Sequence, residues 1–118
     1  MALKLYGIPN CETVKKARAW LESRGLAYEF HDYKKQGVDR GLLEAWVAEH
    51  GWETVLNRSG MTFRKLDPAL TRTLDASSAV GLMIDHPSAI KRPIAVVGRR
   101  TLVGFKPEAY EATFGEKR

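Results

Sequence analysis

The short segment Gly7-Ile8-Pro9-Asn10-Cys11-Glu12-Thr13-Val14-Lys15 carries the only cysteine of the chain. An apolar run of strand length, Ala2 to Tyr6, precedes it, and helix-forming residues follow it from Glu12 to Arg24. This order predicts that Cys11 lies at the N-terminus of a helix. Backbone N–H groups and the helix dipole favour a negative charge there, so we expect a lowered thiol pKa and a place where an oxyanion can bind.

A single cysteine is often no more than a small buried hydrophobic residue, so its setting decides the interpretation. Here Lys15 and Lys16 follow Cys11 by one helical turn. An electropositive turn between a strand and a helix is the setting in which cysteines are reactive. We therefore interpret Cys11 as a nucleophile.

The charge pattern favours a small anionic ligand. The chain has 19 basic and 14 acidic residues, for a formal net charge of +5. The basic residues are scattered in pairs, most of which we expect to be solvated surface charges, and they form no long stripe with interleaved aromatic residues. An anion pocket is therefore expected, and nucleic-acid binding is not.

Size and composition predict one domain spanning residues 1–118, since a 118-residue chain with 44% hydrophobic residues can form a single core. The sequence contains neither an apolar leader at its start nor a run long enough to span a membrane. One cysteine cannot form an internal disulfide, so a reducing, cytoplasmic location is expected.

The first elements read as a β-α-β unit. Residues Ala27 to Tyr33 alternate in polarity and predict a second strand, parallel to the first, with a polar loop over Lys34–Gly37. Asp39 is the expected N-cap of a helix that ends at His50, and Trp46 falls on the apolar face of that helix.

The middle of the chain predicts a helical insertion. Trp52 to Leu56 is expected to form a short helical turn, followed by a loop that carries Arg58, and Thr62 to Asp67 is expected to be irregular. The next helix ends before Pro87. Three residues offer N-caps for that helix: Asp75, Ser77 and Ser78.

The last part of the chain predicts a hairpin and a helix. Pro93 opens an apolar strand, where its missing N–H is tolerated and a cis bond is possible, and Thr101 to Phe105 can return as its antiparallel partner. Pro107 opens a final helix. The whole order predicts an α/β protein with the thioredoxin-like fold, in which helices flank a mixed sheet of about four strands.

Several segments together resemble the ArsC family, and most closely its YffB-type members. The resemblance covers nearly the whole chain. It is carried by Tyr6 to Arg18, by Ile90-Lys91-Arg92-Pro93-Ile94, by Phe30 to Lys35 and by the Leu56-Asn57-Arg58 loop.

The resemblance implies a mechanism and a set of site residues. Arsenate reductases of this family attack arsenate with one cysteine, matched here by Cys11, and glutathione with glutaredoxin completes the reduction. Arg92 matches an arginine that holds the oxyanion, and it is expected to be catalytic with Cys11. The expected substrate- or anion-binding residues are Arg58, Lys106, Lys15, Asn10, Thr13 and Pro93.

Two departures from the arsenate reductase pattern influence the expected substrate. Gly7 stands where those enzymes have a histidine near the cysteine, and Lys106 stands where they have a third arginine. We therefore expect a glutathione-dependent monothiol reductase, with a true arsenate reductase as the alternative. A further alternative is a regulator like the Spx-type proteins, which bind RNA polymerase under the redox control of a Cys-x-x-Cys pair. In this chain Val14 occupies the position of the second cysteine of that pair.

The expected co-substrate is glutathione, with glutaredoxin as a possible protein partner and a small oxyanion or a glutathionylated molecule as substrate. A monomer is expected, with no membrane partner. No metal is expected, because the single cysteine and the three histidines lack the spacing of metal ligands. Those histidines are His31, His50 and His86.

Overall fold

The computed structural model describes residues 3–98 and 100–115 of the chain. Its strands are β1 (Leu3–Gly7), β2 (Glu29–Asp32), β3 (Ile94–Val97) and β4 (Arg100–Val103). Its α-helices are α1 (Glu12–Ser23), α2 (Tyr33–Gln36), α3 (Arg40–His50), α4 (Trp52–Val55), α5 (Met61–Arg64), α6 (Pro68–Thr71), α7 (Ala76–Asp85) and α8 (Pro107–Tyr110). A 3₁₀ turn covers Pro87–Ala89 and a π-helical turn covers Glu111–Gly115.

The chain forms two compact units, one from residues 1–32 with 92–118 and the other from residues 33–91. The first unit holds a sheet with strand order β2-β1-β3-β4. β1 pairs in parallel with β2 through the α1 crossover, and β3 is antiparallel to both of its neighbours. The predicted thioredoxin-like α/β fold, with a mixed four-stranded sheet flanked by helices, is confirmed.

The pairing of β1 with β3 brings two distant parts of the chain to one end of the sheet. Tyr6, near the end of β1, lies opposite Ile94, the first residue of β3. Because the two strands run in opposite directions, the turn that leaves β1 and the residues that lead into β3 lie at the same end of the sheet. The first segment contains Cys11 and the second contains Arg92.

One hydrophobic core joins α1 and the C-terminal helical segment to the sheet. In α1, Val14, Ala17 and Leu21 recur at helical spacing, and each is fully buried. The buried residues of this core are Leu3, Leu5, Ala17, Leu21, Ala95, Val97, Tyr110 and Phe114. The position of α1, and hence of its first turn, is therefore set by core packing.

The second unit is helical. The Asp39 carboxylate accepts a hydrogen bond from the Leu42 N–H and caps α3, and Trp46 of α3 is 2% exposed, so both features were predicted correctly. α3 packs against α4 and α7. Asp75 caps α7 in a capping box with Ser78.

Backbone hydrogen bonds tie the end of the second unit to the segment after α4. Leu56 and Ile90 form an isolated antiparallel bridge. On either side of it, the Asn57 N–H donates to the Ala89 carbonyl at 2.7 Å and the Lys91 N–H donates to the Val55 carbonyl at 2.8 Å. The backbone directly before Arg92 is therefore held by regular pairing.

Three boundaries differ from the sequence prediction. The second strand covers only Glu29–Asp32, and the predicted loop over Lys34–Gly37 begins with the helical turn α2. α2 starts at Tyr33 because this side chain is fully buried and its hydroxyl donates to the Lys91 carbonyl at 2.8 Å. α5 (Met61–Arg64) makes the first half of the segment Thr62 to Asp67 helical, where an irregular segment was predicted.

The hairpin partner of β3 also starts and ends earlier than predicted. It runs over Arg100–Val103. It ends there because Gly104 has φ of 82°, a left-handed conformation that glycine adopts without steric cost. Ala2 of the predicted first strand lies outside the described residues.

Candidate active site

Cys11 is the N-cap residue of α1. Its backbone is extended, with φ of −141° and ψ of 126°, and its carbonyl accepts the first helical hydrogen bond, from the Lys15 N–H at 2.9 Å. The side chain is partly exposed. The predicted position of the thiol at the start of a helix is thus observed.

The environment of the sulfur favours its ionised form. Burial by itself would raise the pKa of Cys11, but hydrogen bonds from the Val14 backbone N–H, from the Arg92 side chain and from the Thr13 backbone N–H outweigh it. The charge of Arg92 acts in the same direction. The net result is a Cys11 pKa below its ordinary value, because each of these groups stabilises the thiolate more than the thiol.

Arg92 reaches the thiol from the segment that leads into β3. It is joined to Pro93 by a cis peptide bond, and Pro93 is buried. The Pro93 carbonyl accepts a hydrogen bond from the Gly104 N–H at 2.8 Å, which ties the start of β3 to the end of the hairpin. The Arg92 Nε atom is buried while the residue as a whole is partly exposed.

The side chains of Asn10, Thr13 and Lys15 face solvent beside this site. All three residues are exposed, and the Lys15 Nζ atom lies 3.8 Å from the Glu12 carboxylate. Thr13 contributes to the site through its backbone N–H. Anion binding by these side chains stays a prediction.

Arg58 and Lys106 lie on different units. Arg58 is exposed in the second unit, with its guanidinium carbon 5.8 Å from the centre of the Trp52 ring. Lys106 is exposed in the first unit, where it is the N-cap residue of α8. Their expected roles in anion binding stay predictions.

The contribution of Val14 was missed from the sequence, where Val14 was considered as the residue in place of the second cysteine of a Cys-x-x-Cys pair. Val14 is the third residue of the helix, and N–H groups at the second and third positions are the ones that an N-cap side chain accepts. The position of Cys11 as N-cap would have been a sufficient signal for this donor.

Residues 3–98 and 100–115 contain no cluster of metal ligands. Within them, no three histidine, cysteine, aspartate or glutamate side chains come together as a metal site would require. No helix in this part of the chain is both long and apolar enough to cross a membrane.

The fold and the site together define a class of protein. A mixed sheet with a low-pKa cysteine capping the first helix, and an arginine before a cis-proline beside it, is a thioredoxin-like arrangement built around a single thiol. The sequence model of the ArsC family matches residues 6–113. The chain belongs to the ArsC family.

Three relatives show where in the family it falls. The structure of a YffB protein is 58% identical, covers 94% of this chain and 97% of its own, and superposes with a TM-score of 0.92. An arsenate reductase (ArsC) related protein from Brucella melitensis is 49% identical, with coverage of 97% and 95% and a TM-score of 0.76. The global transcriptional regulator Spx of Streptococcus mutans is 28% identical over 92% of this chain and 80% of its own length.

Proposed function

We propose that this protein is a glutathione-dependent monothiol reductase in which Cys11 is the nucleophile and Arg92 holds the anionic groups of the substrate. The observation that carries the proposal is the position of the Arg92 side chain at the Cys11 thiol, where its hydrogen bonding and its charge both lower the pKa of Cys11. A thiolate that attacks a polar substrate needs fixed positive charge beside it, and a guanidinium can bind the thiolate and a substrate oxygen with different N–H groups.

The proposed reaction consists of two thiol–disulfide exchanges. The Cys11 thiolate attacks the glutathione sulfur of a mixed disulfide, so that a bond from Cys11 to glutathione forms, the original S–S bond breaks and the substrate leaves as a thiolate that takes up a proton. A second glutathione thiolate then attacks the glutathione sulfur bound to Cys11. Glutathione disulfide leaves, and the Cys11 thiolate is restored.

The chain itself supports the choice of an external thiol. Its sequence contains a single cysteine, so the mixed disulfide on Cys11 has to be resolved by another molecule. The peptide N–H groups at the start of α1 and the Arg92 guanidinium suit the carboxylates of glutathione. Glutaredoxin is the proposed protein partner for the same step, and the protein is proposed to act as a cytoplasmic monomer.

A true arsenate reductase is the second candidate. It is favoured by the 49% identical relative whose description relates it to arsenate reductase. In that reaction the Cys11 thiolate would attack arsenic and displace a hydroxide, which leaves as water. A glutathione thiolate would then attack the Cys11 sulfur, and the S–As bond would break with its electron pair on arsenic, which leaves as arsenite. A second glutathione would resolve the mixed disulfide on Cys11, releasing glutathione disulfide and restoring the thiolate. The same thiolate and the same arginine would act, so substrate assays have to separate the two reductases.

The test measures glutathione disulfide formed by the wild-type protein with a glutathionylated peptide and, separately, with arsenate. Cys11→Ser is the variant that removes the nucleophile, and Arg40→Gln is a matched surface control, because Arg40 is exposed and pairs with Glu44 of its own helix. Mass spectrometry of the reaction without excess glutathione tests for a glutathione adduct on Cys11.

We expect turnover of the glutathionylated peptide that is lost in Cys11→Ser and kept in Arg40→Gln. Turnover of arsenate alone would replace the proposal by the second candidate. Turnover of neither substrate, with a folded protein, would favour a regulator, the class to which the relative named Spx belongs. Activity that persists in Cys11→Ser would contradict both reductases.

A further inference from the structure

Val14 makes two contacts at the start of α1. Its backbone N–H is the third of the helix and helps to lower the pKa of Cys11, and its side chain is fully buried. The buried side chain faces the backbone of Gly7, the last residue of β1. One residue thus stabilises the thiolate through its backbone and packs on the preceding strand through its side chain.

The packing between Gly7 and Val14 leaves no room for a larger residue at position 7. A Cβ atom placed on Gly7 would lie 2.8 Å from the Cγ2 atom of Val14 and 3.4 Å from its Cγ1 atom. The first distance is far below van der Waals contact, so the side chain of Val14 rests directly against the glycine backbone. The end of β1 and the first turn of α1 therefore approach as closely as a glycine allows.

We propose that Val14 is a positioning residue of the Cys11 site, whose packing on Gly7 fixes the first turn of α1 with the Val14 N–H directed at the sulfur. A valine suits this role because its two γ carbons are held by one stiff torsion and cannot move away independently. The inference rests on the proposed role of Cys11 as nucleophile. It adds that the reactivity of Cys11 depends on the hydrocarbon contact between Val14 and Gly7.

Other charged groups near the sulfur must stay constant in the test. Arg92 approaches from the segment before β3, and Glu12 pairs with Lys15 on α1 itself. On β2, the imidazole of His31 lies against the Tyr6 ring of β1, with ring centroids 4.7 Å apart and the planes tilted by 41°. None of these groups is replaced in the variants, so a change in the pKa of Cys11 reports the geometry of the N–H donor.

The experiment measures the pH dependence of Cys11 alkylation by iodoacetamide in Val14→Ala, Gly7→Ala and the double variant. Val80→Ala is the matched control, because it makes the same truncation at a residue of α7 that is 2% exposed. Thermal unfolding of each variant is recorded in parallel. Alkylation reads the thiol directly, so it remains informative even when glutathione turnover fails.

We expect Val14→Ala to raise the pKa of Cys11 and to slow alkylation about two- to fourfold at a pH below that pKa. Gly7→Ala should do the same. In the double variant the two close γ carbons are gone, and the new Cβ atom at position 7 would lie 3.7 Å from the Cβ atom at position 14, which is ordinary contact. The two effects should therefore be less than additive, whereas Val80→Ala should lower the melting temperature and leave the alkylation profile unchanged.

A purely structural role for Val14 predicts a different result. In that case Val14→Ala would lower the melting temperature as Val80→Ala does, and the alkylation profile would stay that of the wild type. That outcome, or strictly additive effects of the changes at positions 7 and 14 on the pKa of Cys11, would overturn the proposal.

Discussion

The Arg92 side chain lowers the pKa of Cys11 through hydrogen bonding and through its charge, although one residue caps α1 and the other leads into β3. The antiparallel pairing of β1 with β3 brings them together, since it places the exit of the first strand beside the entry of the third. The contact thus depends on the register of the sheet. The two backbone N–H groups that also stabilise the thiolate belong to the first turn of α1, so they are in place wherever α1 forms.

The contribution of Arg92 can be isolated by substitution. We expect Arg92→Gln to raise the pKa of Cys11, because it removes a charge-assisted hydrogen bond, and to slow alkylation about three- to tenfold at a pH below that pKa. Arg92→Lys keeps the positive charge but loses the planar guanidinium, so its Cys11 alkylation rate should lie between those of the wild-type protein and Arg92→Gln. Arg40→Gln, which removes an exposed guanidinium, is the control. An unchanged alkylation rate in Arg92→Gln would show that the helix alone activates the thiol.

The low pKa of Cys11 also predicts how stability depends on pH. The folded-state pKa lies below that of the unfolded thiol, so the folded protein releases its proton first as the pH rises. Relative to Cys11→Ser, the wild-type protein should therefore gain stability as the pH rises towards the unfolded pKa of about 8.5. It should lose that gain as the pH falls through the folded-state pKa. Chemical unfolding of both proteins across this pH range, under reducing conditions, measures the difference in their free energies of unfolding. A difference that does not change with pH would contradict the prediction.

The sequence predicts the site to the extent that the site is local. Cys11 could be placed at a helix N-terminus because strand, turn and helix signals follow one another along the chain. The donor to its sulfur depends on the third helical residue, Val14, whose apolar side chain gives no sign of what its backbone does. Tyr33 shows a similar limit of sequence-based prediction. It continues the alternating pattern of β2, but β2 ends at Asp32, and the Tyr33 hydroxyl donates to the carbonyl of Lys91, a residue distant in sequence.

The N-cap of α7 offers a test of local stability. The Ser78 backbone N–H, together with the Ser78 hydroxyl, lowers the pKa of Asp75. Asp75→Ala should lower the melting temperature, because it leaves N–H groups of the first turn without an acceptor. The advantage of the wild-type protein over this variant should be present above pH about 4 and fade as the pH falls through the lowered pKa. Asp75→Asn keeps an uncharged cap, so its stability relative to Asp75→Ala should not show this acid dependence.

Tyr110 permits a comparison between a lost hydrogen bond and a lost ring. The residue is fully buried, its ring packs edge-on against Trp20, Phe105 and Phe114, and its hydroxyl donates to the Gly104 carbonyl at 3.2 Å. Tyr110→Phe should cost about 1 kcal/mol in the free energy of unfolding, and Tyr110→Ala about 3–5 kcal/mol because it also opens a cavity. Equal losses in the two variants, measured by urea unfolding, would mean that the ring contacts contribute little.

Gly7→His tests whether this site can accept the histidine that the arsenate reductases of the family resemblance have at the same position. The Cβ of any residue there would meet the Cγ2 atom of Val14 at 2.8 Å, so the end of β1 and the first turn of α1 would have to separate. We expect a loss of about 1–3 kcal/mol in the free energy of unfolding, typical of overpacking, and slower alkylation of Cys11 at a pH below its pKa.

Gly7→His combined with Val14→Ala separates crowding from chemistry. Truncation at position 14 leaves its Cβ atom 3.7 Å from that of position 7, so the backbone can return towards its original spacing. We expect this double variant to recover part of the lost stability. If Gly7→His alone were as stable as the wild-type protein and its thiol more reactive, the close contact between β1 and α1 would not be what excludes a side chain at position 7. Thermal unfolding and alkylation profiles of both variants decide between these results.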